Sequence, residues 1–291
     1  MMSYLLQRKM IIGSFLLIPM ALLIIFVFFP TLKLFQLSVT DWDGYSKTFN
    51  YTGIENFKTI FFHSKDMWIS LRNNAYYFIA FTISMPFEIL IASILCGNLI
   101  GKNFFKSIIF MPYVINGVAI ALAFSFFFSP LGGLNTILDG LHLGELKQDW
   151  LGNIKILNFT LVFVTMWRYC GQHVVFFIAG IISIPRDQYE AAEIDGANKF
   201  QQFLYITIPG VKTIIDLLLF LNIRGVLASF EIPFLMTNGG PGYESSTFVL
   251  YSIKEAFEYS HFGLAAALGI ILMLITILVY SLQSLILKGL R

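Results

Sequence analysis

Charge is the commodity this sequence has least of. Asp, Glu, Lys and Arg make up 12% of its 291 residues, where a soluble domain carries roughly 25%. The net charge of +2 comes without a basic stripe, which sets aside a nucleic-acid partner. Cysteine is almost missing too. Cys96 and Cys170 sit inside apolar runs at a spacing that suits neither a disulfide framework nor a metal site, and they read as small buried hydrophobes. The four histidines (His63, His142, His173, His261) form no H-x-x-x-H pair, so no cofactor and no metal site are indicated in this chain. No internal repeat or low-complexity tract occurs, and no polar stretch is long enough for a separate soluble domain.

Reaction chemistry is lacking as well. There is no nucleophile elbow, H-E-x-x-H or EF-hand pattern, so no catalytic residue is expected. Gly97-Asn98-Leu99-Ile100-Gly101-Lys102-Asn103 imitates a phosphate loop. Its glycines stand one residue too close, however, and Asn follows the Lys where a Ser or Thr must reach magnesium. The stretch also follows an apolar run instead of a strand, and reads as a span end with a snorkelling Lys102. Asn50-Tyr51-Thr52 and Asn158-Phe159-Thr160 match a glycosylation sequon, a pattern that short sequences produce by chance.

What is abundant is apolar bulk. Hydrophobic residues make up 57% of the chain and Phe alone numbers 31. A helix needs about 20 apolar residues to cross a bilayer, because no water is there to satisfy unpaired backbone groups. Six stretches meet that length, at roughly 10–30, 73–97, 104–129, 156–182, 211–236 and 262–287. They predict an all-α integral membrane protein with six transmembrane helices, residues 1–291 forming one transmembrane domain in contact with membrane lipid. Pro19, Pro86, Pro112 and Pro233 fall inside spans, where neighbouring helices can satisfy the carbonyls they leave free. The first run, Met10 to Phe29, follows Arg8 and Lys9 as a signal peptide would. It is longer than a secretory h-region of about 7–15 residues and no small-residue cleavage site follows, which predicts an uncleaved span.

Lys and Arg placement predicts cytoplasmic N- and C-termini. The inner segments then hold Arg8, Lys9, Lys102, Lys106, Arg186, Lys199, Lys212, Lys288 and Arg291, against eight basic residues in much longer outer segments. Outside, aromatics recur between Ser38 and Leu71 (Trp42, Tyr45, Phe49, Tyr51, Phe57, Phe61, Phe62, Trp68), which suits an interfacial cap. Gly239-Gly240-Pro241-Gly242 is a tight turn by composition. Phe248, Tyr251, Ala256 and Tyr259 predict a short amphipathic helix before the last span.

The remaining inner segment, 183–210, is the most organised. Pro185 stops one helix and starts the next, Tyr189 to Ile194 form helix, and Gly196 breaks it. A second short helix carries Phe200, Phe203 and Leu204 on one face, and Pro209 closes the unit. Two short helices with a glycine elbow suit a docking knob or an ordinary amphipathic connector. Glu190-Ala191-Ala192-Glu193-Ile194-Asp195-Gly196-Ala197, with Ile206-Thr207-Ile208-Pro209 after it, resembles the E-A-A loop of binding-protein-dependent ABC importer permeases. Gly53-Ile54-Glu55-Asn56-Phe57, Leu71-Arg72-Asn73-Asn74 and Met236-Thr237-Asn238-Gly239-Gly240-Pro241 are similar to the carbohydrate-uptake subfamily, in the first-permease form of six spans. Arg72 before Asn73-Asn74, and Pro233 at a position often aromatic, depart from that pattern.

The resemblance implies a type I ABC importer permease fold in the cytoplasmic membrane of a prokaryote. It implies a coupling helix seated on an ATPase, with Glu190, Ala191, Ala192, Asp195, Gly196, Ala197 and Pro209 at the contact. It also implies the partners: a second homologous permease, two cytoplasmic ATPase subunits that bind ATP and magnesium, and an external solute-binding protein. The expected activity is alternating-access import of a sugar, an oligosaccharide by preference.

Polar residues inside spans are expensive and mark pathways or helix contacts. Tyr113 and Asn116 in the third span, Trp167, Arg168, Tyr169, Gln172 and His173 in the fourth, and Asn222, Arg224, Ser229 and Glu231 in the fifth are the candidates. Tyr113, Asn116, Trp167, Arg168, Gln172, Asn222, Arg224 and Glu231 are taken as the substrate pathway. Aromatic faces with amide and charged hydrogen-bonding groups suit a sugar. Arg168 and Arg224 also suit a glycerol-phosphate-type substrate. Arg224 and Glu231, seven apart, are expected on one helical face as a possible pair. An ion-coupled secondary transporter would need paired deep acids, for which Glu88 and Glu231 are the candidates.

Overall fold

The computed structural model of the chain describes residues 4–289. Arg291 lies outside them, and the side chains of Lys9 and Lys288 are also not described. Among the described residues the architecture is helical, with one isolated antiparallel bridge between Thr40 and Tyr51. Five helical stretches are long and apolar enough to cross a bilayer, and a bent pair makes a sixth. The chain divides into two compact units.

One unit comprises residues up to 64 together with 252–274. Its first span is longer than the run that ends at Pro30. Helix α1 (Tyr4–Leu23) passes through a π-turn at Ile24–Phe28 into α2 (Phe29–Leu37). Pro30 has no N–H for the helical ladder, and the turn before it widens so that the Phe29 N–H reaches Ile24 O. The helix therefore absorbs the proline and continues. The segment that follows, expected on the outer side, is tied to itself. Asn56 Nδ2 donates to the carbonyls of Ser38 and Thr40, Asn50 donates to Asp41, and Trp42 Nε1 donates to Ser46 O. Three contacts to Asp43, from the amides of Tyr45 and Ser46 and the Ser46 hydroxyl, hold its carboxyl down at about 2, the hydroxyl having the largest effect. The Trp42, Tyr45 and Phe257 rings close on Phe262.

The other unit comprises residues 65–251 and the end of the chain from 275. It is built on α3 (Lys65–Cys96) and α6 (Ile154–Ile182), the two long helices. Tyr77, Phe81, Met85, Ile89, Ala92 and Leu95 form a buried helical stripe on α3 against Leu157, Leu161, Val164, Val174, Phe177 and Ile181 on α6. Lipid is as apolar as these side chains, so close packing holds the pair rather than exclusion from water. α4 (Lys102–Val114) joins α6 at its closest at Gly171, where any Cβ would overlap the carbonyl oxygen of Ile109 and stand 2.8 Å from Phe110 Cα.

Two spans differ from the unbroken helices expected. The third breaks into α4 and α5 (Gly117–Phe127), which meet at 95°. Ile115 is extended, and Asn116 starts a new helix by accepting the Val118 N–H at 2.8 Å. The fifth divides into α9 (Lys212–Leu227) and α10 (Glu231–Thr237), with residues 228–230 outside both helices. α11 (Phe248–Phe257) is the short helix foreseen before the last span, and α12 (Phe262–Gly289) is that span; both begin in one unit and end in the other.

Candidate functional site

The faces of α3 and α6, the end of α4 at Tyr113 and the break after α9 line a cavity of about 540 Å³. One wall is a run of rings. Tyr113 of α4 meets Tyr169 of α6 edge-on at 6.0 Å, Tyr169 meets Phe81 of α3 at 6.4 Å, and Phe81 meets His173 at 5.6 Å. The opposite wall is α9 from Leu218 to Val226 and the non-helical turn after it. Arg168 crosses the cavity and donates from Nη1 to Glu231 Oε2 at 2.5 Å, while its guanidinium lies 5.4 Å from the Tyr169 ring. This pair requires Gly117, because a Cβ there would overlap both the Glu231 carboxyl and Arg168 Nη1. Three polar atoms of lining residues are buried and have no hydrogen-bond partner: Tyr77 Oη, Arg168 Nε and Asn222 Nδ2. A buried orphan donor is costly, and these three lie behind the cavity surface.

Of the pathway residues read from the sequence, Tyr113, Arg168, Gln172, Asn222, Arg224 and Glu231 line this cavity, as do Tyr169, His173 and Ser229. Asn116 and Trp167 do not. Asn116 is committed to capping α5, and Trp167 lies against Phe124 at 5.1 Å. Arg224 and Glu231 do not pair, because the helix between them is interrupted and Glu231 turns to Arg168. Tyr77, Phe81 and Thr165 also line the cavity and were not singled out by sequence. Phe81 and Glu88 are seven apart on α3, so the face bearing an in-span acid was the signal that could have found them. Among the described residues no three metal-ligating side chains converge.

One rim is held by buried amides. Asn73 Nδ2 donates to the carbonyls of Glu244 (2.8 Å) and Ser246 (2.9 Å), and Asn158 Nδ2 donates to Glu244 O (2.8 Å). Asn74 donates to Val226 O and accepts from the Phe248 N–H, and the Thr247 hydroxyl donates to Ser229 O. The loop at 239–247 is thereby tied to α3, α6 and the cavity-lining turn after α9.

Beyond the other end of α6, α7 (Arg186–Ile194) ends in a Schellman motif. The Ala197 N–H reaches Ala192 O at 2.8 Å and the Gly196 N–H reaches Glu193 O at 3.1 Å, with Gly196 at φ +82°. Asn198 and Gln201 then cap α8 (Lys199–Gln202) reciprocally. Lys199 reaches back to Glu193, and this bond, with a lesser one from Gln202, holds the Glu193 carboxyl below its ordinary value. A second π-turn, Phe203–Thr207, absorbs Pro209 as the first absorbs Pro30, and Tyr189 bonds Thr207 at 3.0 Å. Glu190, Ala191, Asp195, Gly196 and Pro209 are exposed, with Ala192 and Ala197 half-buried. Ile194 is 87% and Tyr205 77% exposed, an apolar rim that nothing among the described residues covers. Phe200, Phe203 and Leu204 do not share one face: Phe203 turns toward the α3–α6 core and Phe200 points away.

A family model described as the binding-protein-dependent transport system inner membrane component matches residues 88–291, from α3 to the end of the chain. The chain belongs to this family. It is thus a multi-pass membrane protein and the membrane-embedded subunit of a transport system, which removes the ground for an ion-coupled carrier. Its two candidate acids, Glu88 and Glu231, each carry a basic partner. Among relatives of this inner membrane component is the probable ABC transporter permease protein YurN of Bacillus subtilis, 31% identical over 95% of this chain and 96% of its own. The diacetylchitobiose uptake system permease protein NgcF of Streptomyces coelicolor is 30% identical, covering 94% and 81%. The arabinooligosaccharides transport system permease protein AraP of B. subtilis is 34% identical, covering 82% and 75%. In fold the component matches a bacterial ABC transporter involved in import of the acidic polysaccharide alginate, with a TM-score of 0.85 at 22% identity over 97% of this chain and 96% of that one.

Proposed function

We propose that this inner membrane component is one of two homologous permeases of an importer that carries an oligosaccharide through the 540 Å³ cavity. The reading rests on the lining of that cavity. Aromatic rings share the lining with the polar side chains of Gln172, Arg224 and Ser229, and a sugar offers apolar C–H faces between hydroxyl groups. The volume lies within the about 300–1,000 Å³ of small-molecule sites. The relatives named for diacetylchitobiose and arabinooligosaccharides point the same way.

In this reading the chain resides in the cytoplasmic membrane of a prokaryote with both termini inside. An external solute-binding protein delivers the sugar to the outer loops. Two ATPase subunits, which bind ATP and magnesium, grip the loop at 183–210 and rock the helices between outward- and inward-open states. Glu190, Ala191, Ala192, Asp195, Gly196, Ala197 and Pro209 form the contact with the ATPase.

A second reading keeps the transporter and changes the cargo. Arg224 lines the cavity without a carboxylate partner among the described residues, which favours a glycerol-phosphate-type anion. Reconstitution with the partner permease, ATPases and binding protein separates the two. ATP hydrolysis is measured with maltotriose, arabinotriose, N,N′-diacetylchitobiose and glycerol 3-phosphate in turn. Stimulation by an oligosaccharide is expected; stimulation by glycerol 3-phosphate alone transfers the assignment, and a flat response to all four refutes the first.

A further inference from the structure

Glu88 and His173 form the most deeply buried ionisable pair described in the chain, their side chains only 3% and 5% exposed. Glu88 Oε1 accepts from Ser84 Oγ at 2.9 Å, one helical turn back on α3. Glu88 Oε2 meets His173 Nδ1 at 2.9 Å across the α3–α6 interface. Both carboxylate oxygens and one ring nitrogen are thus occupied. His173 nevertheless lines the cavity, and its second nitrogen, Nε2, makes no hydrogen bond among the described residues.

Which atoms carry the protons follows from the cost of burying net charge. Two arrangements leave the pair neutral. In one an ionised Glu88 faces an imidazolium; in the other a protonated Glu88 donates to Nδ1 of a neutral ring. Nε2 bears a proton in both. The one arrangement that strips Nε2 (an ionised carboxylate against a neutral ring protonated at Nδ1) buries an uncompensated negative charge, the costliest state in a dry interior.

We propose that His173 is a substrate-binding residue that presents Nε2–H to the cavity, and that Glu88, held by Ser84, is the positioning residue that fixes the ring and its tautomer. With the N–H groups of Gln172 and Arg224, the cavity lining then offers donors from two helices. Such a set selects a ligand with several acceptor oxygens and rejects one that presents only hydrogen-bond donors, whose buried partners would be left unpaired. This rests on the transport reading above for its ligand, but not for its geometry.

The test therefore has two arms, both on the assembled transporter in nanodiscs with its partner permease, ATPases and binding protein. In the first, histidine is labelled with ¹⁵N and the His173 signals are identified by their loss in His173→Leu. A one-bond ¹⁵N–¹H coupling at Nε2 is expected at pH 7, in the wild type and in Glu88→Gln, whose amide can donate to Nδ1. A bare Nε2 in the wild type overturns the proposal whatever is transported.

In the second arm, uptake is followed with whichever oligosaccharide of the four-compound panel stimulates ATP hydrolysis. His173→Leu and Glu88→Ala should each raise KM by roughly tenfold or more, with a smaller fall in kcat, as loss of a hydrogen bond to a polarised group predicts. Glu88→Gln should stay within about threefold of wild type, and His173→Gln, which keeps an N–H, should fall between. An unchanged KM in His173→Leu, with only less folded protein recovered, overturns the binding role, as does Glu88→Gln matching Glu88→Ala. If no sugar is transported the oligosaccharide reading falls, while the nitrogen coupling still decides the pair.

Discussion

Gly196 offers the sharpest test of the ATPase contact proposed for the loop at 183–210. Its φ of +82° lies in the left-handed region, and the space around its Cα is open, with nothing within 4 Å of a Cβ built there. A substitution therefore acts through the backbone alone. Alanine in that conformation costs about 1–2 kcal/mol, so the α7–α8 elbow should be depopulated by at most roughly five- to thirtyfold. Asparagine tolerates the left-handed region and should cost only a few-fold. Proline cannot reach positive φ, lacks the N–H that meets Glu193 O at 3.1 Å, and crowds Asp195 out of its helical conformation. It should abolish the elbow outright. The assay is co-purification of the ATPase with each variant from membranes, followed by substrate-stimulated ATP hydrolysis, with amounts of membrane-inserted permease equalised. The order Gly, Asn, Ala, Pro is expected in both readouts. Full stimulated hydrolysis by Gly196→Pro would sink the reasoning, because the elbow would then be dispensable to the contact.

Three further outcomes follow from the geometry. Asn73→Ala strands the carbonyl of Ser246 in a buried place, while Glu244 O keeps Asn158, and should cost about 1–2 kcal/mol, lowering the thermal midpoint in detergent by roughly 2–8 °C. Gly171→Leu forces α4 away from α6 at Ile109 O and should destabilise by at least about 1–3 kcal/mol, read as lost monodisperse protein on size exclusion. The Asp43 turn should respond to acid with a defined sign. Its carboxyl is depressed to about 2 from an ordinary 3.8, so its contribution is complete above pH 3.8 and fades as the pH falls through 2. Hydrogen-exchange protection of the Tyr45 and Ser46 amides, corrected for intrinsic rates, should be flat from pH 7 to 4 and decline toward pH 2; a loss already at pH 5 would contradict it.

The loop at 183–210 was legible in the sequence because its determinants are local. A proline before α7 and a glycine after it act within a few residues of where they stand; the Asn198–Gln201 box is equally local but was not singled out. Its facing was not legible. A π-turn rotates Phe203 away from Phe200, and that turn follows from Pro209 downstream, not from the spacing of the phenylalanines. Span positions were recoverable from apolar length, whereas the breaks at 115–116 and 228–230 were not, since hydropathy is indifferent to backbone direction. Asn116 looked like a pathway residue for the same reason: an in-span amide announces that it needs a partner, and only coordinates reveal that the partner is its own helix. Half of the aromatic wall was missed because Tyr77 and Phe81 are apolar enough to pass as lipid-facing bulk.

The Arg168–Glu231 bond has a mechanical corollary. Gly117 opens α5 after one interruption, Glu231 opens α10 after another, and Arg168 belongs to the unbroken α6. Two jointed rods thus have their joints stacked on a single pin anchored to a rigid post. Both joints meet on one ion pair anchored to an uninterrupted helix, so bending either strains the same bond. A methyl group at residue 117 would force the Glu231 carboxylate and the Arg168 guanidinium to move.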